Sequence, residues 1–213
     1  MSQFLRDDFD RWHDYGCLIN ARFVYFGSEW YDEDWGDESG VDFASSAKAI
    51  RNLLYLDQKK KDPITLHYNS PGGDWDRGMA IYDCIQGLRS GVRFVGYGCV
   101  RSMGSIIIQA CKQRFLSPNC RFMIHDGWMG FSGIPKSFEA NADECKITRF
   151  AMYKIYQDRM KKKNKTISFK DIRDMCQYDN YFSGDRAVEL GLADKVLGTE
   201  EMCHFRGLPE TIE

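Results

Sequence analysis

The sequence VRFVGYGCVRSMGSIII occupies residues 92–108, and the fold class follows from its order of residue types. Its first part, residues 92–97, is a short apolar run rich in β-branched and aromatic residues, which is typical of a buried strand. The isoleucines at 106–108 indicate an apolar helix, and the glycines at 98 and 104 enclose a turn that contains Ser102. A strand that runs through a turn into a helix is typical of α/β folds.

The segments on either side repeat this alternation of strand and helix. Further strands are predicted over residues 23–26, 64–68, 114–116 and 121–124. Two helices are predicted over residues 135–163 and 186–190. Three more are predicted to begin after Asp42 as N-cap, after the turn at 69–73 and at the capping-box-like sequence 168–171. This order predicts a mainly parallel sheet with right-handed crossovers.

Apolar residues recur at helical spacing in two of the predicted helices. In the helix after Asp42 they are Phe43, Ala47, Ile50 and Leu54. In the long helix the residues on one side are Phe138, Ala142, Cys145, Tyr153, Tyr156 and Met160. Residues 29–40 are acidic and aromatic, and they predict an exposed loop.

The composition is that of an ordinary soluble globular domain, and it argues against several classes of function. The 213 residues are 43% hydrophobic and 28% charged with a net charge of -2, so nothing indicates a nucleic-acid partner. No apolar run approaches the roughly 18 residues of a membrane span, and the first residues lack the apolar core of a secretory signal. The eight cysteines include no CxxC pair, so we expect free thiols in the cytoplasm, no metal and no cofactor.

Ser102 is the first candidate for chemistry. A serine hydroxyl becomes a useful nucleophile when it projects from a fixed turn and a base lies within hydrogen-bond distance. The N-terminus of the following helix adds free N–H groups that favour developing negative charge. The turn departs from the G-x-S-x-G hydrolase signature, because Val100 occupies the first glycine position. Considered alone, a serine here is also typical of a helix N-cap.

The segment NSPGG at residues 69–73 is the second candidate, because it follows a predicted strand directly. A Gly-Gly pair lets the backbone approach a ligand closely and point an N–H group at it. Two such donors can stabilise the oxyanion of an acyl-transfer intermediate, and the N–H groups of Gly73 and Met103 are the candidates. A type II turn with no further role would use the same residues.

His125 and Asp179 complete the set of candidates. His125 follows an apolar strand and precedes a glycine-rich segment, where its side chain can face a cleft. His67 lies within a strand and is interpreted as structural. Asp179 lies among aromatic residues at 178–182, which predicts a partly buried carboxylate, as an orienting group requires. Composition alone does not single out this carboxylate among 31 acidic residues.

Together these motifs resemble the proteolytic subunit of the ATP-dependent Clp protease. The NSPGG segment is similar to that family's glycine motif, and residues 102–104 are similar to its nucleophile motif at the family's spacing. Residues 116–125 resemble the segment that ends in the family's histidine, and residues 179–192 resemble the one that begins with its aspartate. The similarity covers about residues 20–198.

The resemblance implies a crotonase-like α/β fold of stacked ββα units with a protruding handle helix. It implies a serine endopeptidase that degrades unfolded polypeptides inside a homo-oligomer of paired heptameric rings, a tetradecamer, fed by an AAA+ unfoldase. The implied triad is Ser102, His125 and Asp179. The glycines implied to bind substrate backbone by β-augmentation, from a strand over 127–133, are Gly127, Gly130 and Gly133.

The resemblance also divides the chain into an N-terminal segment at 1–19, a peptidase domain at 20–198 and a C-terminal tail at 199–213. The handle covers about residues 126–165 and is a few residues longer than in the family. Arg101 replaces a small residue beside the nucleophile, and Asp126 with Gly127 replaces Gln-Pro after the histidine. Residues 29–40 form an inserted loop, and residues 1–19 do not resemble the family's axial pore loop.

Three other functions remain as alternatives. A non-catalytic ring-forming subunit is motivated by Arg101 and Asp126. An acyl-CoA enzyme of the crotonase-like group would share the fold and the oxyanion donors but would need no nucleophile. A related membrane peptidase that cleaves signal peptides is disfavoured, because no membrane anchor is visible in the sequence.

Overall fold

The computed structural model describes residues 3–28, 31–32 and 37–204. The helices in these residues are α1 (Gln3–Tyr15), α2 (Phe43–Lys59), α3 (Trp75–Gly87), α4 (Met103–Ala110), α5 (Pro135–Met160), α6 (Phe169–Cys176), α7 (Gly184–Glu189) and α8 (Thr199–His204). The strands are β1 (Cys17–Leu18), β2 (Phe23–Gly27), β3 (Tyr31–Asp32), β4 (Asp37–Glu38), β5 (Ile64–Ser70), β6 (Val92–Arg101), β7 (Gln113–Leu116), β8 (Arg121–Ile124), β9 (Asn180–Ser183) and β10 (Lys195–Val196). The predicted α/β class is confirmed.

The main sheet is mainly parallel, as the alternation of strands and helices predicts. Its strand order is β1-β2-β5-β6-β7-β10, and the pairs among β2, β5, β6, β7 and β10 are parallel. Strand β1 runs antiparallel to β2, and β9 runs antiparallel to β8. The sheet therefore keeps the βαβ pattern in its centre and has antiparallel strands only beyond it.

Strand β6 changes its partner halfway along its length. Residues Arg93 to Gly96 pair with β7, whereas residues Cys99 to Arg101 pair with β8. Gly98, at the point of change, has a φ of 49°, a backbone conformation that glycine adopts without steric cost. One strand thus belongs to two neighbouring parts of the sheet, and its end lies beside the end of β8.

The core lies around α4, whose eight residues are all buried. Helix α4 contacts α3, α5 and β6, so it lies in the centre of the molecule. Large side chains from the strands, Tyr68, Phe94 and Phe122 among them, are fully buried in the same core. This burial holds the N-terminus of α4, and therefore the turn before it, in a single position.

The helix predicted after Asp42 is confirmed as α2, but its apolar residues at helical spacing do not form the buried stripe. Phe43 is 70% exposed and Leu54 is 47% exposed, and the buried stripe contains Ser46, Ala49 and Leu53 instead. The two stripes are adjacent on the helix and both follow its period, so spacing alone does not distinguish them. The predicted N-cap is confirmed, because the side chain of Asp42 accepts a hydrogen bond from the Ser45 N–H.

Helix α5 packs on the core only along its C-terminal half. The buried residues there are Met152, Tyr153, Tyr156, Gln157 and Met160. Phe138, which the sequence pattern placed on the same side as Tyr153 and Tyr156, is exposed, as are most residues of 135–147. The N-terminal half therefore projects from the body of the molecule, as the handle of the predicted fold does.

The segment before α5 differs from the expectation of a glycine-rich strand. Residues 125–134 form irregular backbone in the described structure, so the strand expected over 127–133 is absent there. A strand requires a partner for its backbone groups, and no described strand runs alongside this segment. Within the predicted loop at 29–40, β3 and β4 form a short antiparallel ladder, and residues 29–30 and 33–36 lie outside the described residues.

His67 on β5 has the structural role that its position in a strand predicts. Its ring packs edge-on against Phe23, with the ring centroids 4.7 Å apart, and stacks on Tyr97. Its Nδ1 atom lies 2.8 Å from the Tyr97 hydroxyl, and Nε2 is buried without a partner among the described residues. Burial lowers the pKa of His67 from 6.5 to about 4, because the surrounding rings disfavour the charged imidazolium.

We expect His67 to make the protein sensitive to acid. The unfolded chain binds a proton at His67 below pH 6.5 but the folded chain does so only near pH 4, so stability falls as the pH drops through this window. The loss should be on the order of 2 kcal/mol in the free energy of unfolding, measured by urea denaturation at several pH values. His67→Phe should remove this component. The control His13→Gln changes an exposed histidine and should behave as wild type, whereas parallel pH curves for wild type and His67→Phe would contradict the prediction.

Candidate active site

Ser102 has an unusual backbone conformation at the end of β6. Its φ of 49° and ψ of -119° lie in a region that non-glycine residues rarely adopt, and such strain persists only where the surroundings enforce it. The Ser102 N–H donates to the Met123 carbonyl at 3.0 Å, which holds the turn against β8. Ser102 occupies the N-cap position of α4, but its side chain makes no capping hydrogen bond. The hydroxyl is therefore left to face another partner.

That partner is His125, the residue that directly follows β8. The distance from Ser102 Oγ to His125 Nε2 is 2.7 Å, and the distance from His125 Nδ1 to Asp179 Oδ1 is 2.8 Å. The pairing of Arg101 with Met123 in parallel strands brings the next residues of β6 and β8 to the same edge of the sheet. With the proton on Nδ1, the ring donates to Asp179 and accepts from Ser102. Three residues that are distant in sequence thus form one continuous hydrogen-bonded relay.

Asp179 is more exposed than the sequence indicates. The side chain of Asp179 is 57% exposed, compared with 20% for His125, and the neighbouring Tyr178 and Tyr181 are exposed as well. The prediction of a partly buried carboxylate among aromatic residues is therefore wrong. Asp179 precedes β9, and β9 pairs only with β8, so one side of this segment faces solvent. Because solvent screens the charge of Asp179, its main effect on His125 is to orient the imidazole ring through the hydrogen bond.

The two glycines of the NSPGG segment lie directly against the nucleophile turn. A Cβ atom on Gly72 would lie 2.5 Å from Ser102 Cβ and 2.9 Å from the Met103 nitrogen, so only glycine fits there. Gly72 and Gly73 have φ values of 109° and 146°, a backbone conformation that residues with a Cβ atom rarely adopt. The Gly72 carbonyl accepts from the Val41 N–H at 2.6 Å, which fixes the loop from behind.

Two backbone donors remain free beside Ser102. Within the described structure, neither the Gly73 N–H nor the Met103 N–H donates to another protein group. Met103 is the first residue of α4, where N–H groups have no intrahelical partner and the helix dipole favours negative charge. The structure thus brings the two predicted oxyanion donors to one wall of a cleft.

The cleft has a volume of about 590 Å³ and opens over the relay. Ser102, Met103, His125, Gly73 and Gly127 all line it. Its apolar lining consists of Trp75, Ile106, Trp128, Met129 and Met152. Gly130 and Gly133, the other two glycines predicted to bind substrate, are not part of its wall.

The side chains of Arg101 and Asp126 both contact residues outside the relay. The guanidinium carbon of Arg101 lies 5.5 Å from the centre of the Tyr181 ring, and Arg101 does not line the cleft. Asp126 does line it, but its carboxylate accepts a hydrogen bond from the Tyr153 hydroxyl at 2.5 Å, and the Arg149 guanidinium lies 3.5 Å away. Arg101 is therefore not part of the cleft wall, whereas Asp126 is part of that wall and is held by α5.

Sequence reasoning missed a buried contact between α5 and the nucleophile turn. The Ser105 hydroxyl donates to the Ser102 carbonyl at 2.6 Å and lies 2.6 Å from the Tyr156 hydroxyl. Burial raises the pKa of Tyr156 well above its usual value, so the phenol remains a neutral donor. The helical spacing of Tyr156 indicated burial, but no sequence signal linked it to Ser105.

Comparison with known proteins agrees with this geometry. The family model described as Clp protease matches residues 37–200, which is most of the chain. The chain belongs to the Clp protease family. Among solved structures it is similar to a point variant of ClpP1 from Listeria monocytogenes, with a TM-score of 0.71 and 25% sequence identity, over 87% of this chain and 96% of that one. The predicted fold of the Clp proteolytic subunit is therefore confirmed.

Family membership implies that the chain is a protease or a related subunit, and it implies peptidase activity in general. The family also forms oligomeric rings with unfoldase partners in general. Among the described residues, no helix is both long enough and apolar enough to cross a membrane.

We expect Gly72→Ala to disrupt the site. The added methyl group would overlap Ser102 and would require a strained φ of 109°, so Ser102 or the loop must move. The rate of Ser102 modification by a fluorophosphonate should fall at least about 100-fold, and the unfolding free energy should fall by roughly 2 kcal/mol.

The matched control is Gly87→Ala, because a Cβ atom at Gly87 in α3 meets nothing within 4 Å. This change should leave Ser102 reactivity unaltered and stability equal or up to about 1 kcal/mol higher. Full reactivity of Gly72→Ala would show that the close approach of Gly72 to Ser102 is not required.

Proposed function

We propose that the protein is a serine endopeptidase that degrades unfolded polypeptides inside a ring assembly of its own copies, in the cytoplasm. The observation that carries the proposal is the relay from Ser102 through His125 to Asp179, with contacts of 2.7 Å and 2.8 Å. An aligned hydroxyl, imidazole and carboxylate is the arrangement that serine peptidases of unrelated folds share. The free N–H groups of Gly73 and Met103 lie beside it, where an oxyanion would form.

The reaction follows from the order of these contacts. His125 takes the proton of the Ser102 hydroxyl through Nε2 while the oxygen attacks the peptide carbonyl carbon. The carbonyl oxygen becomes an oxyanion, which the N–H groups of Gly73 and Met103 stabilise. His125 then gives the proton to the leaving amine as the peptide C–N bond breaks, and an acyl-enzyme remains. Water attacks the ester by the same route, which releases the acid and restores Ser102.

Substrate binding is assigned to the irregular segment 125–134 and the apolar wall of the cleft. Gly127 lines the cleft beside His125, and the segment has no strand partner within the described chain. The Asp126 N–H donates to the Cys176 carbonyl and the Ile134 carbonyl accepts from α5, so the backbone between them, from Gly127 to Gly133, is the part that an extended polypeptide would add to as a strand. Gly130 and Gly133 lie further along the same segment and extend this surface away from the cleft.

Assembly into paired heptameric rings is supported by the exposed apolar surface of the handle. Trp128 is 89% exposed, and Ile134, Phe138, Ile147 and Phe150 are each more than half exposed. Several large apolar side chains exposed on one projecting element are more typical of a protein contact than of a free face. An AAA+ unfoldase would deliver the unfolded substrate to the chamber.

A non-catalytic ring-forming subunit is the second candidate, and the exposure of Asp179 is the observation that favours it. With 57% of its side chain exposed, Asp179 orients His125 less firmly than a buried carboxylate does. The short contacts of the relay favour the peptidase. The acyl-CoA alternative has no use for an aligned nucleophile, so nothing in the relay supports it.

A fluorophosphonate probe distinguishes the two candidates. We expect the purified wild-type protein to form a covalent adduct at Ser102, and Ser102→Ala to form none, because only an activated serine attacks the phosphorus. The adduct is located by mass spectrometry of proteolytic peptides.

The control for the probe is Ser137→Ala, an exposed serine of α5, which should label as wild type does. Equal labelling of wild type and Ser102→Ala would overturn the peptidase proposal. Absence of labelling in both would favour the non-catalytic subunit.

The assembly proposal is tested by particle mass. The 24.7 kDa chain should sediment as a particle of many copies, and Phe138→Glu should shift it to smaller species, because a charge cannot be buried in an apolar contact. Lys161→Glu, an exposed change at the other end of α5, is the control and should keep the wild-type mass. A wild-type monomer would contradict the ring model.

A further inference from the structure

Strand β6 contains a bulge opposite Asn69 of β5. Tyr68 of β5 pairs with Gly96 of β6. The next pair in register is Ser70 with Val100, so three residues of β6 lie opposite Asn69 alone. Bulges bend a strand and re-aim the residues that follow, and they are frequent beside active sites.

The side chain of Asn69 closes this bulge at its last residue. Its Oδ1 atom accepts the Cys99 N–H at 3.0 Å. A Cβ atom on Gly98 would lie 2.6 Å from the same oxygen, so the amide lies directly over the glycine backbone. Asn69 thus supplies to Cys99 the acceptor that a backbone carbonyl supplies in an uninterrupted ladder.

The first residue of the bulge is also tied to β5. Tyr97 stacks on His67 with the ring centroids 5.7 Å apart, and its hydroxyl lies 2.8 Å from His67 Nδ1. Side chains of β5 therefore hold the bulge at both ends. Asn69 holds the end that leads to Ser102.

The bulge lies where β6 leaves β7 and joins β8. Gly96 is the last residue of β6 that pairs with β7, and Cys99 is the first that pairs with β8. The Asn69 hydrogen bond therefore fixes the residue at which the pairing with β8 begins. Ser102 follows three positions later, with its N–H on the Met123 carbonyl of β8.

Asn69 also leads into the glycine loop. Gly72 follows Asn69 by three positions, just as Ser102 follows Cys99 by three. The two segments meet again at their far ends, because a Cβ atom on Gly72 would lie 2.5 Å from Ser102 Cβ. The bond between Asn69 and Cys99 therefore joins the nucleophile turn and the glycine loop at their common base.

Resting on the proposed peptidase function, we propose that Asn69 is a positioning residue for Ser102. Its side-chain acceptor holds Cys99, and with it the end of β6, in the register with β8 that brings the Ser102 hydroxyl to His125. Neither Asn69 nor Cys99 is part of the cleft wall. The role of Asn69 is therefore to place the nucleophile and not to bind substrate.

The first test separates kcat from KM for a fluorogenic peptide, measured on the full-length assembled protein. Asn69→Leu keeps the branched shape of the side chain but removes the acceptor, so Ser102 should move relative to His125. We expect kcat to fall about 10- to 100-fold, because a displacement of about 1 Å at a reacting group costs that much. KM should stay within about 2-fold of wild type, because the cleft wall is unchanged.

Asn69→Asp is the rescue variant, because a carboxylate of the same shape still accepts the Cys99 N–H. It should return kcat to within about 3-fold of wild type. If Asn69→Leu does not fold, Asn69→Ala takes its place with the same expected loss of kcat, since it removes the acceptor without adding atoms beside Gly98.

Asn52→Leu is the matched control. Asn52 is also half-buried, and its side-chain amide also bonds to the backbone, from Nδ2 to the Tyr15 carbonyl at 2.7 Å. This variant should keep the wild-type kcat and KM. A purely structural role for Asn69 would lower the free energy of unfolding in Asn69→Leu and leave the kcat of the folded protein unchanged. That result, or a failure of Asn69→Asp to restore kcat, would overturn the proposal.

A second measurement does not depend on peptidase activity. In crystal structures of the assembled protein, the distance from Ser102 Oγ to His125 Nε2 should stay near 2.7 Å in wild type and Asn69→Asp. In Asn69→Leu it should exceed about 3.5 Å, which is beyond hydrogen-bond distance. If the wild-type protein cleaves no peptide, the proposed function fails, whereas this distance still decides whether Asn69 places Ser102. An unchanged distance in Asn69→Leu would contradict the positioning role.

Discussion

Strand β6 pairs with β7 along its first half and with β8 along its second half, and the geometry of the cleft depends on that change of partner. Parallel pairing with β8 brings the ends of both strands to one edge of the sheet, where Ser102 and His125 follow them. The N-terminus of the buried helix α4 begins at the same point, so the free N–H of Met103 lies next to the Ser102 hydroxyl. A different register between β6 and β8 would separate the serine from the imidazole.

The strained turn at Ser102 is held from three sides. Met123 on β8 accepts its N–H, Ser105 donates to its carbonyl, and Gly72 lies against its Cβ atom. Because the contacts from Met123 and Gly72 come from distant parts of the chain, tertiary structure rather than local preference maintains the φ of 49°. The same arrangement explains why the serine at an N-cap position does not cap its helix.

Helix α5 connects the protruding handle to the relay. Tyr156 contacts Ser105 below the nucleophile, and Tyr153, one turn earlier, holds the residue after His125. Both hydroxyls are on the packed half of the helix, whereas the other half carries the exposed apolar residues proposed for assembly. Helix α5 therefore contacts Ser105, whose hydroxyl donates to the Ser102 carbonyl, and Asp126, which follows His125.

The sequence by itself determined the α/β class and the mainly parallel sheet. It also named Gly73, Ser102, Met103, His125 and Asp179 as candidate site residues, because local residue types and ordered family motifs point to each of them. It did not determine which stripe of α2 is buried, since adjacent stripes with Phe43 or Ala49 follow the same helical period. Nor did it indicate the exposure of Asp179, which follows from the position of β9 at an open side of the sheet. Ser102 itself was ambiguous between a cap and a nucleophile, and only its tertiary contact with His125 favours the second reading. The charge of Asp126 could be read from the chain, because Asp126 follows His125 directly. Its hydrogen bond to Tyr153, 27 positions away, could not, because it depends on how α5 packs in the folded chain.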